Sequence, residues 1–195
     1  MNIGLTGGIG CGKSTTLGYF RELGAETIET DAVVRELLRS DKEIMAAIRS
    51  GFGDSVMDVE GRIDRDQLAR KVFNNSEALV LLESIVHPRV RQNWMHALRK
   101  NHPILIVEIP LLFEKDLQVE FSKTICLSSD SEVQKARLLA RGMSESQIQY
   151  RKDRQFSLNQ KMKRADIIIH NNGSMKHLKE QVEWVMKRLA DSSNQ

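Results

Sequence analysis

Eight residues near the amino end of this 195-residue chain, Gly7-Gly8-Ile9-Gly10-Cys11-Gly12-Lys13-Ser14, restrict its possible folds more than any other stretch. They fit G-x-x-x-x-G-K-S/T, and their surroundings fit as well. Residues 1–6 form a short apolar run that predicts a strand. From Lys13 the pattern turns helical, with Leu17, Phe20 and Leu23 three residues apart and Gly24 as a stop. Strand, glycine-rich turn and helix together are the context this motif requires. The glycines let backbone N–H groups fold inward around an anion with no β-carbon in the way. The helix behind them adds unpaired N–H groups and the positive end of its dipole. Lys13 then reaches the β- and γ-phosphates, and the Ser14 hydroxyl ligates Mg²⁺. The motif predicts a chain that binds a nucleoside triphosphate.

The remaining pattern supplies a sheet for that loop. Further strands are predicted over residues 25–30, 104–108, 124–127 and 166–170, the third a continuous apolar run suited to a buried parallel strand. Roughly seventy residues separate the second strand from the third, far more than a crossover needs. They read as helices. Val33, Val34, Leu37 and Leu38 share one face, and Ser40 with Glu43 forms a capping box for the next helix. A turn at Glu60-Gly61 precedes a helix over residues 64–73, and another covers 76–86. Pro88 opens a separate helix carrying Val90, Trp94 and Leu98. Ser128 to Asp130 are placed to cap the helix of Val133, Ala136 and Leu139, and only the last few residues look disordered. The expected architecture is a single three-layer α/β domain over residues 1–195, with a five-stranded, mainly parallel sheet and a helical insertion over 32–100.

Net charge is only +3, too slight to argue for nucleic acid. The basic residues are concentrated, however. Residues 135–164 hold nine Lys or Arg against Glu145 and Asp153, which suits a solvated helix surface or a lid over polyphosphate across residues 141–164. Two cysteines cannot build a disulfide framework. No apolar run approaches the ~18 residues of a membrane span, and no signal peptide precedes the loop. A cytoplasmic protein is expected, binding neither membrane nor nucleic acid.

Asp31 ends the second predicted strand, at the sheet edge where open α/β folds bind ligands. It suits a general base, a metal-bound water partner or a helix N-cap. Glu108 ends the third strand, as an outer metal partner or a plain strand-end charge. A small-molecule kinase and a nucleotide-switched binding protein are both open readings. Asp58-Val59-Glu60-Gly61 matches the D-x-x-G of switches but follows no buried strand, and no Asn-Lys-x-Asp is present to read guanine. Asp58 therefore reads as a loop residue.

Several stretches together are more specific. Residues 3–14, Asp31 with Arg35-Glu36-Leu37, Gly61-Arg62-Ile63-Asp64-Arg65, Ile85-Val86-His87-Pro88, Glu108-Ile109-Pro110-Leu111-Leu112-Phe113-Glu114, Gln134-Lys135-Ala136-Arg137-Leu138 with Arg141, and Asn171-Asn172-Gly173 resemble the dephospho-coenzyme A kinase family nearly end to end. Glu29-Thr30-Asp31 departs from that family's usual Asp-Ala-Asp, and Cys11 stands where serine is common. The resemblance implies a P-loop kinase fold and transfer of the ATP γ-phosphate to the 3′-hydroxyl of dephospho-coenzyme A; a monomer is expected. It implies that Gly8, Gly10, Cys11, Gly12, Lys13, Ser14 and Thr15 hold ATP and Mg²⁺, and that Asp31 orients the acceptor hydroxyl. Arg137 and Arg141 are placed to clamp the moving phosphoryl group or to be solvated helix surface. His87 and Pro110, Leu111, Leu112 and Phe113 would line the acceptor pocket, with a helix-boundary role equally open to His87. Asn171 and Asn172 would approach adenine or merely make a turn. Cys11, beside Lys13 and a helix start, is either a reactive thiol or an inert small residue.

Overall fold

The computed structural model describes residues 1–73 and 75–193. The chain forms two compact units, one from Met1–Glu29 with Asn101–Gln195 and the other from Thr30–Lys100. The first unit begins with strand β1 (Asn2–Gly7), helix α1 (Lys13–Glu22) and strand β2 (Glu26–Glu29). The second unit follows without a break as α2 (Thr30–Ser40), α3 (Lys42–Phe52), α4 (Arg65–Val72) and α5 (Ser76–Leu98). The chain then returns to the first unit through β3 (Leu105–Glu108), β4 (Lys123–Ser128), α6 (Ser131–Ala140), α7 (Glu145–Asp153), α8 (Leu158–Arg164), β5 (Ile167–His170) and α9 (Met175–Ser193). The disordered tail expected from the sequence falls on residues 194 and 195, outside the described residues.

The strands lie in the order β2-β3-β1-β4-β5, and all four pairings are parallel. Period-two alternation sends the side chains of β1 and β4 to opposite faces. Ile3, Leu5, Ile125 and Leu127 join Leu17 and Phe20 of α1 and Leu178, Val182 and Val185 of α9 in one buried cluster. The opposite face carries Gly4 and meets other cover. A β-carbon on Gly4 would stand 3.0 Å from both Leu112 and Phe121, so only glycine admits that packing. Helix α8 also packs there, against β1 and β4. Both faces are covered, as an all-parallel sheet requires.

In the second unit, α5 packs against α2, α3 and α4. Here the structure corrects three local expectations. Pro88 lies inside the 23-residue α5 and does not start a new helix. Val86, Val90 and Trp94 are all buried and keep one four-residue phase across the proline, so packing holds the two halves in register. The cap of α3 is Asp41, whose Oδ1 accepts from Glu43 N and Ile44 N at 3.0 and 3.1 Å. Ser40 instead ends α2 and donates to Glu36 O. Helix α2 also starts one residue earlier than the predicted strand end, which places Asp31 in its first turn. In the first unit, Asp130 is the N-cap of α6 but makes no side-chain cap bond.

Candidate active site

The turn between β1 and α1 is built to leave donors open. Gly12, the N-cap of α1, has φ 90° and ψ 28° and offers no side chain. No acidic residue occupies the first turn of α1. By contrast, α3, α4, α5, α7 and α8 are each capped by an Asp, Asn or Ser side chain. The first N–H groups of α1 therefore face outward as an anion site, reinforced by the helix dipole. The exposed Ser14 and Thr15 stand at its mouth.

Lys13 Nζ donates to the carbonyls of Gly7 and Gly8 at 3.3 and 3.2 Å and lies 4.0 Å from Glu108 Oε1. Ser14 Oγ donates to Glu29 Oε1 at 3.2 Å. The structure thus gathers Lys13, Ser14 and the strand-end acids Glu29 and Glu108 around one turn. Hydroxyl and carboxylate oxygens are the donors that Mg²⁺ takes, so these residues fit a magnesium ion brought in with a nucleotide.

The underside of the loop is braced by groups that the sequence assigned elsewhere. Arg137, on α6, donates to Gly10 O at 3.5 Å, Ser129 Oγ at 3.2 Å and Asn171 Oδ1 at 3.3 Å. Asn171 Nδ2 donates to Cys11 O at 2.9 Å. The backbone of Asn171 is engaged too, its N–H on Ser128 O and its carbonyl accepting from Ser129 Oγ. Asn171 is only 3% exposed and its amide is engaged at both ends, with Arg137 and with the phosphate loop. A β-carbon on Gly12 would come within 2.4 Å of Asn171 Nδ2, which shows how closely the brace fits. Asn172 Oδ1 accepts from Asp130 N and stabilises the same junction. Gln134, quoted above without a role, belongs here: its Nε2 donates to Ser129 O at 2.6 Å. No spacing rule links residues 10 and 171, so this brace was invisible in the sequence.

Cys11 is fully buried, and burial is the main cause that pushes its thiol above the ordinary range, against the pull of Lys13. Burial and the raised pKa both match the reading of Cys11 as an inert small residue. Cys126 is buried as well and is pushed up to about 12 by the same cause.

The segment Pro110 to Phe113 divides. Pro110 and Leu111 are partly exposed, whereas Leu112 and Phe113 are 0% and 1% exposed. The last two are packed in the core. Pro110 O accepts from Thr6 Oγ1 at 3.2 Å and from Lys161 Nζ at 2.6 Å. Lys161 also pairs with Glu114 Oε1 at 2.9 Å, and its side chain has no exposed surface. Glu114 Oε1 accepts from Phe156 N as well, while Oε2 has no hydrogen-bond partner among the described residues. The segment read as a polar surface with few core positions thus carries a buried ion pair on α8.

Asp31 sits in the first turn of α2, exposed to solvent and inside the helix, not at its cap. His87 is exposed in the middle of α5, so it marks no helix boundary. Arg141 is exposed at the C-cap of α6. Asp58 organises its loop, accepting from Glu60 N, Arg62 N and Arg62 Nε.

The chain is similar to known proteins in both sequence and fold. A family model described as dephospho-CoA kinase matches residues 1–177. The dephospho-CoA kinase of Geobacillus kaustophilus is 37% identical over 193 residues, covering 96% of each chain. A crystal structure from Thermus thermophilus is similar with a TM-score of 0.80 at 36% identity, covering 97% of both chains. The dephospho-CoA kinase structure from Campylobacter jejuni gives a TM-score of 0.66 at 27% identity over the same shares.

Proposed function

The chain belongs to the dephospho-CoA kinase family, an ATP-dependent phosphotransferase family of coenzyme A synthesis, and we propose that Asp31 presents the acceptor's ribose 3′-hydroxyl for the transfer. In this reading the 3′-oxygen forms a bond to the γ-phosphorus as the bond to the β-phosphate oxygen breaks. The hydroxyl proton passes to the Asp31 carboxylate, and ADP and coenzyme A leave. Such a transfer needs positioning and charge neutralisation more than covalent chemistry. The open N–H groups from Gly8 to Thr15 cradle the β- and γ-phosphates. Lys13 leaves its own carbonyls for the incoming phosphate oxygens. Ser14, with Glu29 and Glu108 beside it, would hold a magnesium ion, which would offset the charge on the nucleotide.

Arg141 is the free clamp of the two arginines, since Arg137 is occupied under the loop. Pro110, Leu111 and His87 contribute to acceptor contacts. The lid function falls on residues 141–157, because Lys161 anchors α8 to the sheet. We read the enzyme as a cytoplasmic monomer, where its ATP is supplied.

The observation that carries this reading is the start of α1, left without side-chain cap or first-turn acid, where α3, α4, α5, α7 and α8 are each capped by a side chain. Purified protein with MgATP and dephospho-coenzyme A should release ADP and form a 3′-phosphate in equal amounts. Shikimate and nucleoside monophosphates, run beside it, should give background rates. Faster turnover of either would replace dephospho-coenzyme A as the acceptor.

A further inference from the structure

The second unit contains an open cleft of about 500 Å³ between α2 and the turn leading into α4. Its lining is chemically lopsided. Four arginines, Arg35, Arg39, Arg62 and Arg65, face it, against the carboxylates of Glu36 and Asp58. The space falls within the range of small-ligand sites, but this one is built from guanidinium groups, whose planar forks match phosphate oxygens.

Stability does not account for the cluster. Arg39 pairs with Glu36 at 2.8 Å and Arg62 with Asp58 at 2.9 Å, but both arginines are more than half exposed. Exposed pairs of this kind add little to stability. Arg65 has no ion-pair partner among the described residues. The cleft is also held in shape before any ligand arrives. Asp58 fixes the turn through Glu60 N and Arg62 N, and Gly61 takes φ 75° to close it. Asp64 caps α4 through Asp66 N and Gln67 N, which sets Arg65 at that helix's first position. Two of the arginines thus come from a rigid turn, and two from one face of α2.

That face of α2 also carries Asp31, four residues before Arg35 and so about one helical turn from it. We propose that this cleft binds the diphosphate of the acceptor, so that the 5′ side of its ribose lies along the arginines while the 3′-hydroxyl meets Asp31. The assignment rests on the acceptor reading above, but it names a different set of residues and can fail separately. It also gives a role to the Arg35 and Arg62-to-Arg65 stretches, which the phosphate loop chemistry does not use.

Arg65→Ala is the cleanest variant, because its removal strands no carboxylate. With the phosphate loop filled by an unreactive MgATP analogue, dephospho-coenzyme A should bind the Arg65→Ala enzyme ~10-fold or more weakly, the loss expected for one charge-assisted contact. Arg65→Lys should fall between the two. Inorganic pyrophosphate, added to the loaded wild-type enzyme, should displace dephospho-coenzyme A and should do so poorly from Arg65→Ala. Adenosine offers the same 3′-hydroxyl without a diphosphate, so its slow phosphorylation should be equal in both proteins. Unchanged affinity of the analogue and an unchanged circular dichroism spectrum establish that the variant is folded. Equal binding of dephospho-coenzyme A by variant and wild type overturns the proposal. So does a matching loss with adenosine, which would make the arginine a scaffold of the unit. A wild-type enzyme that ignores dephospho-coenzyme A but binds pyrophosphate through Arg65 overturns the acceptor and keeps the cleft as a diphosphate site.

Discussion

Replacing Lys161 by methionine should destabilise the protein by about 3–5 kcal/mol, although the substitution turns a charge in the core into an apolar side chain of similar length. The size follows from what is left behind. Lys161 Nζ has two acceptors, Pro110 O at 2.6 Å and Glu114 Oε1 at 2.9 Å, and no exposed surface. Glu114 keeps only the Phe156 N–H once the ammonium is gone, and its Oε2 is already without a partner. A buried carboxylate with one donor must either stay charged at high cost or take up a proton. The double variant Lys161→Met with Glu114→Leu removes both charges and should recover most of the loss. Urea unfolding of wild type, the two single variants and the double variant gives the four stabilities of a mutant cycle.

The pH dependence carries a sign of its own. Burial is the main cause that lowers the Lys161 pKa below the ordinary lysine range, against the pull of Glu114. The unfolded chain then binds more protons than the folded one between the depressed and the ordinary value. The lysine's contribution to stability therefore rises as pH increases through that window. Lys161→Met should lack this rise. A single variant as stable as wild type, or a double variant no better than the single, would refute the idea that an unpaired Glu114 dominates the cost.

Asp31→Asn should lower turnover with dephospho-coenzyme A by roughly 100-fold or more while the ATP dissociation constant holds, as measured by steady-state kinetics and nucleotide titration. Arg137→Ala removes three donors from beneath the loop and should weaken ATP binding by ~10-fold or more with the acceptor affinity retained, read by paired titrations. Cys11 should resist a thiol reagent in the native enzyme with or without MgATP and react only on unfolding, followed by peptide mapping; rapid native labelling would contradict its burial.

What the sequence revealed depended on the range over which residues interact. The phosphate loop is a local object, and its eight residues predicted their strand, turn and helix directly. Strands β1, β3, β4 and β5 were readable as short apolar runs between turns, and β2, Glu26-Thr27-Ile28-Glu29, as a short segment after the stop at Gly24. Pro88 misled because local rules see the missing N–H but not the packing of Val86, Val90 and Trp94 that spans it. Ser40 with Glu43 satisfied a capping pattern, yet Asp41 was one residue nearer and took the role. Lys161 looked like part of a solvated basic face. Its burial depends on Glu114, 47 positions earlier in the sequence, and no periodicity reports that. Arg137 and Asn171 each kept two readings, clamp or solvated surface for the one and adenine contact or plain turn for the other, because a sequence does not say which side of a loop a donor approaches. Three of the four cleft arginines, Arg35, Arg62 and Arg65, stood in the family-like stretches with no assigned work until α2 and the Asp58 turn were seen on one cavity.

The brace between Asn171 and Cys11 joins positions 160 apart, and this has a consequence for the order of events during synthesis. The phosphate loop leaves the ribosome well before the side chain that fixes its backbone is made. Arg137 also arrives late. At ordinary elongation rates of about 5–20 residues per second, the loop waits on the order of ten seconds or more for its support. A nascent fragment ending before β5 holds the complete motif without its brace. Nucleotide capture is thereby tied to completion of the sheet, and an interrupted translation product carries the signature of an ATP site without a site able to retain ATP.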